Sequence, residues 1–238
     1  VDRTTQLPEI DLVERHIAVA GSSADADVRR QRLHATLAEQ PIHEDLGFRL
    51  MRRAGNQAAA FDEGCDGVGE NYAQELIAKS SALPMAKRLP IHFIGRLQSN
   101  KVKSIAESVD VWQSVDRVDP SNEIAKRCVK AGSDIRPKIM LQVNATDEPD
   151  KGGCNPQEVS QLFDLATTKR LEVVGLMTVG PTSNEPQQTQ RAFRLVRKLV
   201  DDLGLKQCSM GMTGDLEIAI AEGSTMIRVG SALFGPRS

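Results

Sequence analysis

The residues best equipped for chemistry lie near the C-terminal end of the sequence, in Cys208-Ser-Met-Gly-Met-Thr-Gly-Asp215 and Thr225-Met-Ile-Arg-Val-Gly-Ser-Ala-Leu-Phe-Gly235. Each begins as a short apolar run and breaks into glycine and hydroxyl residues. Two consecutive strand ends of that composition offer backbone N–H groups to an anion, phosphate above all. Between them, Asp215-Leu-Glu-Ile-Ala-Ile-Ala-Glu-Gly223 reads as a turn or two of helix ending on glycine. Arg228 stands at strand spacing from Met226 and Gly230, so these three share one face while Ile227 and Val229 share the other. A guanidinium on a buried strand face is costly without an acceptor. Together the two segments predict a phosphorylated ligand that carries a second acceptor for Arg228.

Such a site needs a frame of strands and helices. Apolar alternation and turn residues mark strands at Pro90–Gly95, Val109–Val115, Lys138–Asn144 and Leu171–Met177. Helical spacing follows each of them, over Leu97–Glu107, Pro120–Ala131 (with Gly132 as its stop), Pro156–Thr168 and Pro186–Leu203. Earlier in the chain the pattern is weaker. Asp11–Val19 has the apolar spacing of an N-terminal helix, Arg32–Leu37 is a candidate first strand, Glu44–Ala60 is helical, Glu70-Asn71-Tyr72 is a short strand, and Tyr72–Ser81 is a helix. Strand–helix alternation with short joints implies a parallel sheet. About eight strands in roughly 240 residues fit one closed (β/α)8 barrel, whose loops after strands seven and eight are the habitual phosphate site. An open doubly wound sheet is the alternative, but no G-x-G-x-x-G follows any strand. The expectation is an α/β chain folded as a single (β/α)8 barrel over residues 1–238, with an N-terminal helix before the first strand.

Composition narrows the partners. A net charge of −2 gives no electrostatic case for nucleic acid, and aromatic residues at 3% rule against base-stacking platforms. No apolar run approaches the ~20 residues of a membrane span, and the polar N-terminus lacks a signal-peptide core. The four cysteines are isolated, without a C-x-x-C pair, which suits reduced thiols in a cytoplasmic protein rather than disulfides or metal.

Several strings, in order, closely resemble the pyridoxal-phosphate homeostasis family, single-domain relatives of the alanine racemase N-terminal barrel. They are Gly69-Glu-Asn-Tyr-Ala-Gln-Glu75, His92-Phe-Ile-Gly-Arg-Leu-Gln-Ser-Asn-Lys101, Gly175-Leu-Met-Thr178, Ser209-Met-Gly-Met-Thr213 and Arg228-Val-Gly-Ser-Ala-Leu-Phe-Gly235. The resemblance runs from about Gly64 to the C-terminus. It implies a barrel that holds pyridoxal 5′-phosphate without turning over amino acids, buffering the cofactor or delivering it to apo-enzymes that depend on it, as a monomer or weak dimer. It further implies that Arg228 faces the pyridine nitrogen and keeps it unprotonated. Ser209, Met210, Gly230 and Ser231 wrap the phosphate, Asn71 lies near the ring edge, and Thr178 completes the cofactor-binding set. An amino-acid racemase of the same fold is the alternative; it needs an acid/base pair, usually a lysine and a tyrosine, and the one tyrosine is Tyr72. A barrel binding another phosphate ester is a third reading.

Each residue alone admits a plainer role. Gly230 and Gly235 serve tight turns, Ser209 caps the following helix, and Arg228 pairs with a structural carboxylate. In the same way His92 packs in the core, Met177, Met210 and Met212 fill it, and Glu70 and Asn71 tie the rim. One departure from the family bears on the chemistry. Its Schiff-base lysine falls at the end of the first strand, shortly before a proline. The matching place here is Thr36-Leu-Ala-Glu-Gln-Pro41, with Ala38 where the lysine would fall, and no lysine precedes Lys79. Alanine has no amine to offer an aldehyde. Lys138 begins its strand, at the wrong end, while Lys101 and Lys103 follow theirs on the correct side but a helical turn away. The expectation is therefore phosphate-anchored, noncovalent and weakened cofactor binding.

Overall fold

The computed structural model describes residues 16–17, 67–80, 89–129, 132–183 and 185–228. Its strands are β1 (His16–Ile17), β2 (Val68–Glu70), β3 (Ile91–Phe93), β4 (Val111–Val115), β5 (Lys138–Gln142), β6 (Glu172–Met177), β7 (Gln207–Ser209) and β8 (Met226–Ile227). The helices are α1 (Ala73–Ser80), α2 (Ser99–Ile105), α3 (Val118–Cys128), α4 (Val159–Thr168), α5 (Pro186–Asp202) and α6 (Leu216–Ala221). The strands form one sheet in the order β1-β8-β7-β6-β5-β4-β3-β2, and every pairing is parallel. From β2 to β8 the order never reverses, so there is no switch point of the doubly wound kind. Among the described strands the first lies against the last, His16 opposite Met226, as winding into a (β/α)8 barrel requires.

Two apolar layers follow from the period-2 alternation of each strand. Trp112, Ile139, Leu141, Leu176, Cys208, Met210 and Ile227 face outward, into the main core beneath the helices. Their neighbours Val111, Met140, Met177 and Met226 face inward as a second cluster. Outside, the Phe93 and Trp112 rings pack at 6.1 Å. Helix α5 buries Thr189, Ala192, Phe193, Val196 and Val200, the one-sided spacing that a 3.6-residue period produces. Among the described residues no helix is long and apolar enough to cross a membrane, and no His/Cys/Asp/Glu group could hold a metal.

Three local expectations change. His16–Ile17 form a strand, although Leu12, Val13, Ile17 and Ala18 suggest a helix; a short apolar run fits either state, and pairing with β8 decides it. The strand before α1 is Val68–Glu70, so Asn71 and Tyr72 lie beyond it rather than in it. Helix α3 ends at Cys128, four residues before Gly132, which has the positive φ of a turn. Arg32–Leu37 and Glu44–Ala60 lie outside the described residues.

Candidate functional site

Because all strands run the same way, their C-terminal ends open on one mouth. The ladder extends past the last strands there. Thr178 N–H donates to Ser209 O at 3.0 Å, Met210 N–H to Met226 O at 3.0 Å and Arg228 N–H to Gly211 O at 2.9 Å. Alternation then turns Ser209 and Arg228 inward, one on each side of the β7–β8 seam.

Arg228 is 6% exposed. Its Nη1 donates to Ser209 Oγ at 2.6 Å and its Nη2 to the Thr178 carbonyl at 2.7 Å. Both acceptors are neutral, and no carboxylate among the described residues pairs with the guanidinium. Burial pulls Arg228 down to about 10, opposed through space by Asp215 and Cys208, and it remains charged at neutral pH. Asp215 itself accepts the Met212 N–H at 2.6 Å on the loop after β7.

A polar chain continues across the barrel interior. Ser209 Oγ donates to Gln113 Oε1 at 2.8 Å. The Gln113 amide donates to His92 Nδ1 at 2.7 Å and to Met226 Sδ at 3.0 Å. A guanidinium only donates, so Ser209 accepts from Arg228 and passes its own proton onward. Gln113 then turns its oxygen to Ser209 and its amide to His92, and in that orientation Nδ1 is the accepting nitrogen. Gly67 lies against the Nε2 edge of the ring, where an added Cβ would meet Nε2 at 3.0 Å.

The expected residues therefore divide. Thr178, Ser209 and Arg228 are in direct contact. Met210 is fully buried in the outer core beside Cys208, and its N–H belongs to the β7–β8 ladder. Asn71 stands half-buried just past β2, where its backbone presses on Gly95. Gly230 and Ser231 lie outside the described residues. Ser209 caps no helix, since the N-cap of α6 is Asp215. Thr36-Leu-Ala-Glu-Gln-Pro41, the place expected for the lysine, lies outside the described residues. β1 is His16–Ile17, and the sequence that follows it, Ala18-Val-Ala-Gly-Ser-Ser23, again has no lysine.

Two residues escape a sequence reading. Gln113 interrupts an apolar strand face, a pattern that signals a buried polar contact without naming its partners. Lys151, in the loop after β5, sends Nζ to the Gly180 carbonyl and to Glu148 Oε1 at 2.9 Å. Glu148 also accepts the Thr182 N–H at 3.1 Å and its hydroxyl at 2.5 Å. The β5 and β6 loops are thus clipped together at the mouth. Hydrogen bonds from Thr182 and then Lys151 hold the Glu148 carboxyl down, to about 2. A lowered folded-state pKa means that the clip's stabilisation is complete above the ordinary value of 4.5 and is lost as pH falls toward about 2. Wild type should accordingly lose its melting-temperature advantage over Glu148→Gln across that interval; a gap that stays constant to pH 2 would deny the carboxylate's charge any part in the clip.

Comparison with known proteins places this geometry. Residues 52–238 match the family model described as "Alanine racemase, N-terminal domain". A pyridoxal phosphate homeostasis protein of Aquifex aeolicus is 40% identical over 176 residues, covering 71% of this chain and 76% of its own. PipY of Synechococcus elongatus, solved with PLP bound, superposes with a TM-score of 0.68 at 31% identity, covering 87% of this chain and 100% of its own. Alanine racemase of Clostridium difficile, 14% identical with a TM-score of 0.60 over 94% of this chain and 53% of its own, shares the fold. The barrel, the Arg228–Ser209–Thr178 mouth and these likenesses together make the chain a member of the pyridoxal phosphate homeostasis protein family.

Proposed function

We propose that this chain binds pyridoxal 5′-phosphate at the C-terminal mouth of its barrel and holds it for delivery to cofactor-dependent apo-enzymes, rather than turning over amino acids. The observation that carries this reading is the buried Arg228 guanidinium, fixed by two neutral acceptors and paired with no acid among the described residues. Neutral acceptors set its plane without balancing its charge. A ligand that brings a pyridine nitrogen and a phosphate dianion supplies an acceptor and the missing negative charge together. An arginine facing that nitrogen cannot protonate it, which weakens the ring as an electron sink and suits storage over catalysis.

In this arrangement Ser209 and Thr178 hold Arg228 toward the ring. Met210 shapes the turn after β7, Gly230 and Ser231 donate to the phosphate, and Asn71 borders the ring. The racemase alternative calls on Tyr72, whose side chain is 50% exposed beyond β2, a poor setting for a buried acid/base partner. The protein acts in the cytoplasm as one barrel, a monomer or weak dimer, without nucleic acid.

Titration of the purified protein with the cofactor tests the reading: a saturable change in cofactor absorbance is expected, and none up to millimolar cofactor would overturn it. Replacing Ser231 by alanine should weaken binding by about tenfold, the scale of one charge-assisted hydrogen bond. With no lysine before Lys79, borohydride reduction followed by denaturation should release the cofactor from the polypeptide. A reduced adduct on a mapped lysine would show instead that an amine such as Lys151 has been borrowed.

A further inference from the structure

We propose that Gln113 is the positioning residue of this site: through Ser209 it fixes the orientation in which Arg228 meets the ligand. The inference rests on the binding mode proposed above and names the residue that sets it. Gln113 is 0% exposed, in the middle of β4, and its amide touches three elements across the barrel interior. It accepts from Ser209 on β7 at 2.8 Å and donates to His92 on β3 at 2.7 Å and to Met226 on β8 at 3.0 Å.

This fixes the hydroxyl proton of Ser209. With that proton held by Gln113, the oxygen presents its lone pairs to Arg228, and the 2.6 Å bond forms. Were Gln113 apolar, the hydroxyl would be free to rotate, and its proton could turn into the space the guanidinium N–H needs. The Thr178 carbonyl holds only Nη2, and a guanidinium tied at one nitrogen can swing about that bond. Two ties define its plane, and the second depends on Gln113. His92 serves as the backstop: its Nδ1 takes one amide proton while Met226 Sδ takes the other, so the amide has no reason to flip.

The test has two arms. In the ligand-free protein, the Arg228 Nε–H resonance should be sharp and slow to exchange, and Gln113→Leu should broaden or shift it. Met140→Ala, which removes packing from the same interior but no bond in the chain, should leave it in place. In the loaded protein, Gln113→Leu should weaken pyridoxal 5′-phosphate binding roughly tenfold and move the absorbance maximum of the bound cofactor. Combined with Ser209→Ala it should weaken binding no further than the stronger single change, because both act through one path.

The positioning role is overturned if Gln113→Leu leaves the Arg228 resonance untouched. It is equally overturned if affinity falls only in step with melting temperature, as in Met140→Ala, or if the Gln113 and Ser209 effects add in full. Failure of wild type to bind the cofactor would strike the proposed function alone, since the resonance of the ligand-free protein still reports on Gln113.

Discussion

Arg228→Leu should lower the affinity for pyridoxal 5′-phosphate by about 100-fold while leaving the melting temperature unchanged or slightly higher. These opposite signs come from one feature. The guanidinium is buried, and its hydrogen-bond partners among the described residues are a hydroxyl and a carbonyl, so those residues supply no ion pair to offset its desolvation penalty. Replacing a buried charge by an apolar side chain of similar reach is often neutral or stabilising. For the ligand the balance is reversed. A hydrogen bond from a charged donor contributes about 1.5–3 kcal/mol, equivalent to about 10- to 150-fold in binding, and loss of the fixed orientation adds to that. Arg228→Ala should weaken binding as much but melt lower than Arg228→Leu, because it leaves a cavity among Met226, Ser209 and Thr178. Arg228→Lys should not rescue binding: one ammonium cannot span Ser209 and the Thr178 carbonyl while also facing the ring. Thermal melts and cofactor titration on the same samples check both halves. A Leu variant that melts well below wild type and still binds tightly would make Arg228 a latch of the fold and not a ligand contact.

The ease with which these elements are read from sequence tracks their length and one-sidedness. Helix α5 is legible because Ala192, Phe193, Val196 and Val200 repeat on one face over a long stretch. Strands β4 to β6 are legible because five or six residues suffice to show alternation. The His16–Ile17 strand is not, since two residues carry no period and only the edge of β8 defines it. At the site, a lone arginine in a β-branched run announces itself, as does a strand ending in Ser209-Met-Gly. What sequence cannot display is partner choice across the barrel. Ser209 and Gln113 are 96 positions apart, and whether a hydroxyl donates to a phosphate or to a buried amide depends on which strands face each other. The same holds for Lys151, whose amine meets the Gly180 carbonyl only because the loops after β5 and β6 are neighbours.

Gly95, within His92-Phe-Ile-Gly95, shows how strongly one such neighbour relation constrains the mouth, and Gly95→Ala should be the most destabilising of the substitutions considered. A Cβ built at this residue would fall inside the van der Waals surface of the Asn71 carbonyl group, with Asn71 Cα at 2.9 Å. These are backbone atoms, so no rotamer change relieves the overlap. Retreat is blocked on both sides. The Gly95 carbonyl is bonded to Ser114 Oγ at 2.5 Å, and Ile94 N–H donates to Glu70 O at 3.0 Å, which zips β3 to β2 one residue earlier. The methyl must therefore push β2 and β3 apart at the mouth or break these bonds, at about 3 kcal/mol. In a domain of this size that lowers the melting temperature by roughly 6–12 °C. Asn71 is the atom group displaced, so cofactor binding should weaken as well, beyond what the loss of folded protein accounts for. Gly214→Ala provides the control: nothing lies within 4 Å of a Cβ there, and its melt should match wild type. A Gly95→Ala protein that melts within 2 °C of wild type, by the same scale, would mean that β2 and β3 can part at this end without loss, and Asn71 would then have no rigid seat from which to meet a ligand.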